Sequence, residues 1–177
     1  CLIMAITING NGTISGITSG AGKILQVLSD FESTPTSQTI GPNTDGTTKV
    51  LSITITPSST SSKILVMYNL NVSTDYSFAG STLRRGTTKI SIGTSTGSRM
   101  ATTSYEYQTD TQLQSSAHTC MFLDSPSSTS ALEYNVILTN SNNGTNDFYT
   151  NRTPSDTNTN VLRNRTASSI IVMEVGA

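Results

Sequence analysis

Leu51-Ser52-Ile53-Thr54-Ile55-Thr56 alternates three apolar side chains with three hydroxyls. Successive side chains of an extended chain point to opposite faces, so this stretch reads as a strand with one apolar and one hydroxylated face. The apolar face needs cover, and a second sheet packed over it supplies that cover. The next stretch repeats the pattern. After a Pro57 turn, residues 63–72 place Ile64, Val66, Tyr68, Leu70 and Val72 on one face. The other face begins apolar, at Leu65 and Met67, and turns polar at Asn69 and Asn71. One end of this strand is therefore apolar on both sides and needs a partner beyond the opposing sheet. A neighbouring subunit is the first candidate and the N-terminal arm the second, with Leu65 and Met67 as the contact.

Further strands are expected at 24–29, 49–56, 81–84, 88–92, 99–107, 117–123, 132–139, 147–150 and 168–175. Turn formers separate them, among them Arg85-Gly86, Asp124-Ser125-Pro126 and Asn142-Asn143-Gly144. Short strands at this spacing, with no helical periodicity and no repeat of fixed period, point to an all-β sandwich or jelly roll of antiparallel strands. Residues 1–21 stand apart as an N-terminal arm, and 22–177 form the sandwich. In the arm, Ile6, Ile8, Ile14 and Ile17 are too few to bury a core, and Asn9-Gly10 is a strong turn dipeptide. A small hairpin and a bent extended arm both fit. Either needs another surface to lie on, which makes these four isoleucines candidates for contact with a second copy or another protein.

Of 177 residues, 34% are apolar and 12% charged, and the net charge is −1. Ser and Thr fill about a third of the chain in place of the usual charges. With no basic cluster, a nucleic-acid partner is not expected. No stretch reaches the roughly 20 apolar residues of a membrane span, so no membrane insertion is expected, and no basic-then-apolar leader is visible. Assembly inside a host cell into a particle released by lysis fits that combination.

Catalytic constellations find little support. His118 is the only histidine, and both imidazole metal sites and Ser-His-Asp chemistry need more than one isolated ring. It alternates with Cys120 and Phe122 and reads as a half-buried or rim residue, while Cys120 reads as a small buried hydrophobe. The 11 carboxylates are scattered, with no pair placed for glycoside hydrolysis and no calcium loop at Asp30 and Glu32. Neither a metal nor a cofactor is expected. Five Asn-x-Ser/Thr triplets are what a chain so rich in Ser and Thr produces by chance.

The last third is less bland. Tyr149, Arg152, Asp156, Arg163 and Arg165 bring half of the six arginines into fourteen residues. They read as a hydrogen-bonded loop or interface network, or as a glycan or phosphate site. Tyr76 and Phe78 in a polar loop are further candidate ligand or interface residues. Tyr105 and Tyr107, sharing one strand face, read as an inner-sheet pair or a binding platform.

The start from Met4 to Ile17 (MAITINGNGTISGI) resembles the N-terminal segment of tail-fibre and related virion proteins of marine and cyanobacterial bacteriophages. The body resembles a domain common in those proteins, at 22–27 (GKILQV), 55–66 (ITPSSTSSKILV), 83–86 (LRRG), 122–126 (FLDSP), 149–152 (YTNR) and 169–175 (SIIVMEV). The resemblance covers most of the chain from Met4 onward. It implies a β-sandwich exposed on a virion, assembled in the bacterial cytoplasm as a homotrimer alongside other tail or capsid proteins. The expected function is a non-enzymatic tail-fibre or appendage tip that binds a host surface polysaccharide. A capsid decoration (cement) protein is the alternative, and a small glycan hydrolase the second alternative.

Overall fold

The computed structural model describes residues 7–8, 14–15, 23–158 and 161–176. Among these, every regular element is a β-strand. Strands β1 (Thr7–Ile8) and β2 (Ile14–Ser15) pair antiparallel as a small hairpin, the first of the two readings open for the arm.

The remaining strands make two antiparallel sheets. The first contains β3 (Lys23–Glu32), β4 (Thr36–Ile40), β6 (Lys63–Thr74), β10 (Ser116–Asp124), β12 (Asn146–Thr150) and β13 (Ser168–Gly176). The second contains β5 (Thr44–Ile55), β7 (Phe78–Arg85), β8 (Thr88–Lys89), β9 (Ser104–Tyr107) and β11 (Leu132–Asn140). β6 organises the six-stranded sheet. β10 runs along one edge of it, while β13 and then β12 share the other edge, and β3 and β4 lie outside these two.

The core lies between the sheets, where the alternation placed it. Ile64, Val66, Leu70 and Val72 of β6 and Ile170 and Val172 of β13 meet Leu51, Ile55, Leu83, Val136 and Leu138 of the other sheet, all buried. Most polar groups within this layer are paired, as burial requires, with His118 Nε2 an exception. Tyr134 donates its hydroxyl to Asp124 at 2.7 Å, and Arg85 reaches the same oxygen at 2.6 Å, joining β7, β10 and β11. At the other end, buried Glu174 accepts from the Ser58 amide, the Ser58 hydroxyl and Gln26. Burial pushes this carboxyl up, but the donors from Ser58 and Gln26 outweigh it and hold it at about 2. Glu174 thereby fastens edge strand β3 to the turn after β5.

Several expectations need correction. β4 lies outside the expected strands, because Thr-Ser-Gln-Thr-Ile carries a single apolar residue. It forms through its ladder to β12, reinforced by hydroxyl contacts from Thr36 to Thr150 and from Thr39 to Asp147. The expected strand at 99–107 shrinks to Ser104–Tyr107 and that at 88–92 to Thr88–Lys89. His118 is not at a rim: it points inward from β10 and is 1% exposed. Phe78 opens β7 rather than lying in a loop.

Candidate functional site

Register builds one surface that single strands only hinted at. Across β10, β6, β13 and β3, one row on the outer face reads Leu123, Leu65, Met173, Val27. The next reads Met121, Met67, Ile171, Ser29, and Phe31 extends the face beyond Ser29. The four strands make a band about 15 Å wide. No charged residue interrupts these rows. Met121 is 75% exposed, Phe31 68% and Val27 53%, while Leu65 and Met67 are half-covered by their neighbours. Leu65 and Met67 thus sit in the middle of an aliphatic face. The rest of that face was legible in the same signal: Ile24-Leu25 and Met121-Phe122-Leu123 are also apolar on both sides of a strand. β3 and β10 leave one edge each unpaired among the described residues, so the band runs from one open edge to the other. Of the arm's contact candidates, Ile6 and Ile17 lie outside the described residues, and Ile8 pairs with Ile14 in the β1–β2 ladder.

The polar candidates separate into two groups. Tyr149, Arg152, Asp156 and Arg165 come together beside β4. Asp156 receives Arg165 through both oxygens, at 3.0 and 2.8 Å, and lies 3.6 Å from Arg152. Arg152 also donates to the Pro154 carbonyl and stacks 4.2 Å over the Tyr149 ring. With Pro35, Thr36 and Ser37, the side chains of Arg152, Asp156 and Arg165 line an open hollow of about 410 Å³. Arg163 stands off this cluster and donates to the Thr157 hydroxyl. Arg152 is held by Asp156, the Pro154 carbonyl and the Tyr149 ring, and Arg165 by Asp156, so the arrangement ties the 152–165 loop to β12.

Tyr76 and Phe78 belong elsewhere. Phe78 pairs with Tyr107 across β7 and β9, and Gly80 pairs with Tyr105, which puts all three aromatic rings on the outer face of the five-stranded sheet. Phe78 lies 5.2 Å from Tyr107, 5.9 Å from Tyr105 at an interplanar angle of 17°, and 6.1 Å from Tyr76. Tyr105 and Tyr107 are thus an outer pair.

One serine and the histidine do meet, in a place closed to substrate. His118 Nδ1 lies 3.0 Å from Ser81 Oγ, which is 3.1 Å from the Tyr68 hydroxyl. Ser81 is fully buried between the sheets, as is His118 Nε2, which has no partner. Burial lowers the imidazole to about 4, against a smaller opposing pull from Glu106, so the ring is neutral at pH 7. A nucleophile there has no room for an acyl or glycosyl group. Asp75 and Asp147 are neighbours, but Asp75 accepts from the Asp147 amide and braces the end of β6 against β12, while Asp147 accepts from Thr39 and braces β12 against β4. Among the described residues, no three His, Cys, Asp or Glu side chains gather to hold a metal ion, and no helix is long and apolar enough to cross a membrane.

No protein-family model matches the sequence, and no curated protein matches it. Among solved structures, a chain from "Structure of infectious bursal disease virus Gx strain" is similar at a TM-score of 0.37 and 11% identity. That likeness covers 99% of this chain and 41% of the other. The present chain thus spans less than half the length of that neighbour.

Proposed function

We propose that this chain is a non-enzymatic structural protein of a bacteriophage virion, a tail-fibre or appendage tip that works as a homotrimer and displays its polar loops to a host surface polysaccharide. The observation that carries the assembly is the aliphatic band on the outer face of β10, β6, β13 and β3. A sheet face whose two central rows carry no charge, with Met121 and Phe31 standing in water, is the kind of surface that another protein covers. The sequence resemblance from Met4 onward supports the virion as the place where that happens. The sealing of Ser81 and His118 inside the core supports a role without bond-breaking chemistry.

Fully burying one such side chain contributes about 2 kcal/mol, so the exposed fractions of Val27, Phe31, Met121 and Leu123 offer about 5 kcal/mol per copy. Two faces together therefore offer about 10 kcal/mol, within the range of roughly 4–15 kcal/mol that association costs. Multiplicity then serves function, since three weak sugar contacts on one rigid body act as one strong one.

Quantitative mass spectrometry of purified particles tests the reading. Tens of copies per particle, with purified protein blocking phage adsorption, are expected. Hundreds of copies with no block at saturating protein would make the chain a shell decoration protein, and no copies would remove it from the virion.

A further inference from the structure

We propose that Tyr76, Phe78, Tyr105 and Tyr107 form a platform that binds a neutral hexopyranose unit of a polysaccharide. The inference deepens the appendage reading by naming the sugar-binding surface and the class of sugar, and it rests on that reading only for the direction in which the platform faces.

The six tyrosines divide cleanly. Tyr68 and Tyr134 are buried with their hydroxyls bonded to Ser81 and Asp124, and Tyr149 lies under Arg152. The other three are Tyr76, Tyr105 and Tyr107, exposed at 42%, 48% and 56%, and all three pack around Phe78. Among the described residues, nothing hydrogen-bonds the hydroxyls of these three. Exposed rings held in place by one another, with unspent hydroxyls at their rims, are suited to a ligand that is apolar on its face and polar at its edge. A pyranose is such a ligand: its axial C–H bonds lie on an aromatic face while its equatorial hydroxyls exchange hydrogen bonds around it. The nearly parallel Phe78 and Tyr105 rings brace each other and hold the exposed Tyr105 ring in place.

Charge narrows the choice. No lysine or arginine lies within five residues of any of the four rings: Asp75 directly precedes Tyr76, Glu106 alternates with Tyr105 and Tyr107 onto the opposite face, and Arg84 and Arg85 lie at the far end of β7 from Phe78. A polyanion, whether nucleic acid or acidic polysaccharide, would find no neighbouring cation in sequence beside the rings. A protein partner is better served on the other side of the sandwich, where the aliphatic band lies. When that band is covered, the aromatic platform, on the outer face of the opposite sheet, points away from the contact.

Affinity gel electrophoresis of the full chain in dextran, galactomannan and laminarin tests this, with polygalacturonate and choline-bearing polymer as further arms. Retardation by at least one neutral polysaccharide is expected, falling roughly tenfold or more in Tyr105→Ala/Tyr107→Ala and largely kept in Tyr105→Phe/Tyr107→Phe. On the unaltered protein, NMR of an oligosaccharide from the retarding polymer should show ring-current shifts of its axial protons, which covers the case in which the alanine variant fails to fold. Retardation by no neutral polymer overturns the proposal, as does equal retardation of the alanine variant. Retardation by polygalacturonate alone, removed by Arg165→Ala, moves the site to the arginine hollow, and retardation by the choline polymer alone makes it a cation site. A changed oligomeric state in the alanine variant makes the platform a protein contact. Each of these leaves the assembly through the aliphatic band standing, and loss of the oligomer with sugar binding intact would refute the assembly alone.

Discussion

Replacing Met121 by Asp separates assembly from folding better than any other single change. Met121 lies on edge strand β10, beside Met67, with 75% of its surface in water. Its packing within the subunit is slight, so removal costs the fold less than about 1 kcal/mol. In an assembled band the same side chain contributes about 1.5 kcal/mol, and an aspartate in its place must be desolvated without a counter-charge, for several kcal/mol more. A total near 4 kcal/mol weakens each contact by about three orders of magnitude. Sedimentation velocity across a concentration series reads the assembly, and urea unfolding reads the fold. The expected outcome is a folded monomer with an almost unchanged unfolding midpoint. An oligomer that sediments as before would refute the reasoning, because it would mean that the band stays open to water.

Other changes probe the interior and the arm. The lowered imidazole of His118 makes stability fall with acid: the unfolded chain takes up the proton below its ordinary value near 6.5, the folded one only near 4. Urea unfolding should therefore lose about 2 kcal/mol between pH 7.5 and pH 5 and stay flat above pH 7, and a flat profile down to pH 5 would contradict the neutral buried ring. Asp124→Ala strands both Arg85 and the buried Tyr134 hydroxyl and should cost about 3 kcal/mol, against about 1 kcal/mol for Tyr134→Phe, measured by the same titrations. Deleting residues 4–20 should leave a body with an unchanged melting temperature that no longer joins the particle. A collapse in melting temperature would put the arm in the core.

Much of this architecture was written in alternation. Leu51 to Thr56 and Ile64 to Val72 face the core as their period requires, and the strand starts follow the turn formers. What alternation does not carry is register. Leu65 and Met67 announced a two-sided strand end, but only the pairing of β6 with β10 and β13 lines them up with Met121, Leu123, Ile171 and Met173. β4 shows no alternation for a related reason: its hydroxyls and backbone pair with β12, so it needs no apolar face of its own. The aromatic platform was half visible. Tyr105 and Tyr107 share a face in sequence, yet Tyr76 and Phe78 join them only because β7 and β9 pair across Phe78 and Tyr107. The arginine cluster, by contrast, was local enough to read directly, since Asp156 and Arg165 are nine residues apart.

Electron cryomicroscopy of the intact particle bears most directly on the account. The density of this chain should place the outer face of β10, β6, β13 and β3 against a neighbouring protein, with Met121 and Phe31 out of contact with water. A particle in which that face looks outward into solvent, or which lacks the chain altogether, would contradict the account.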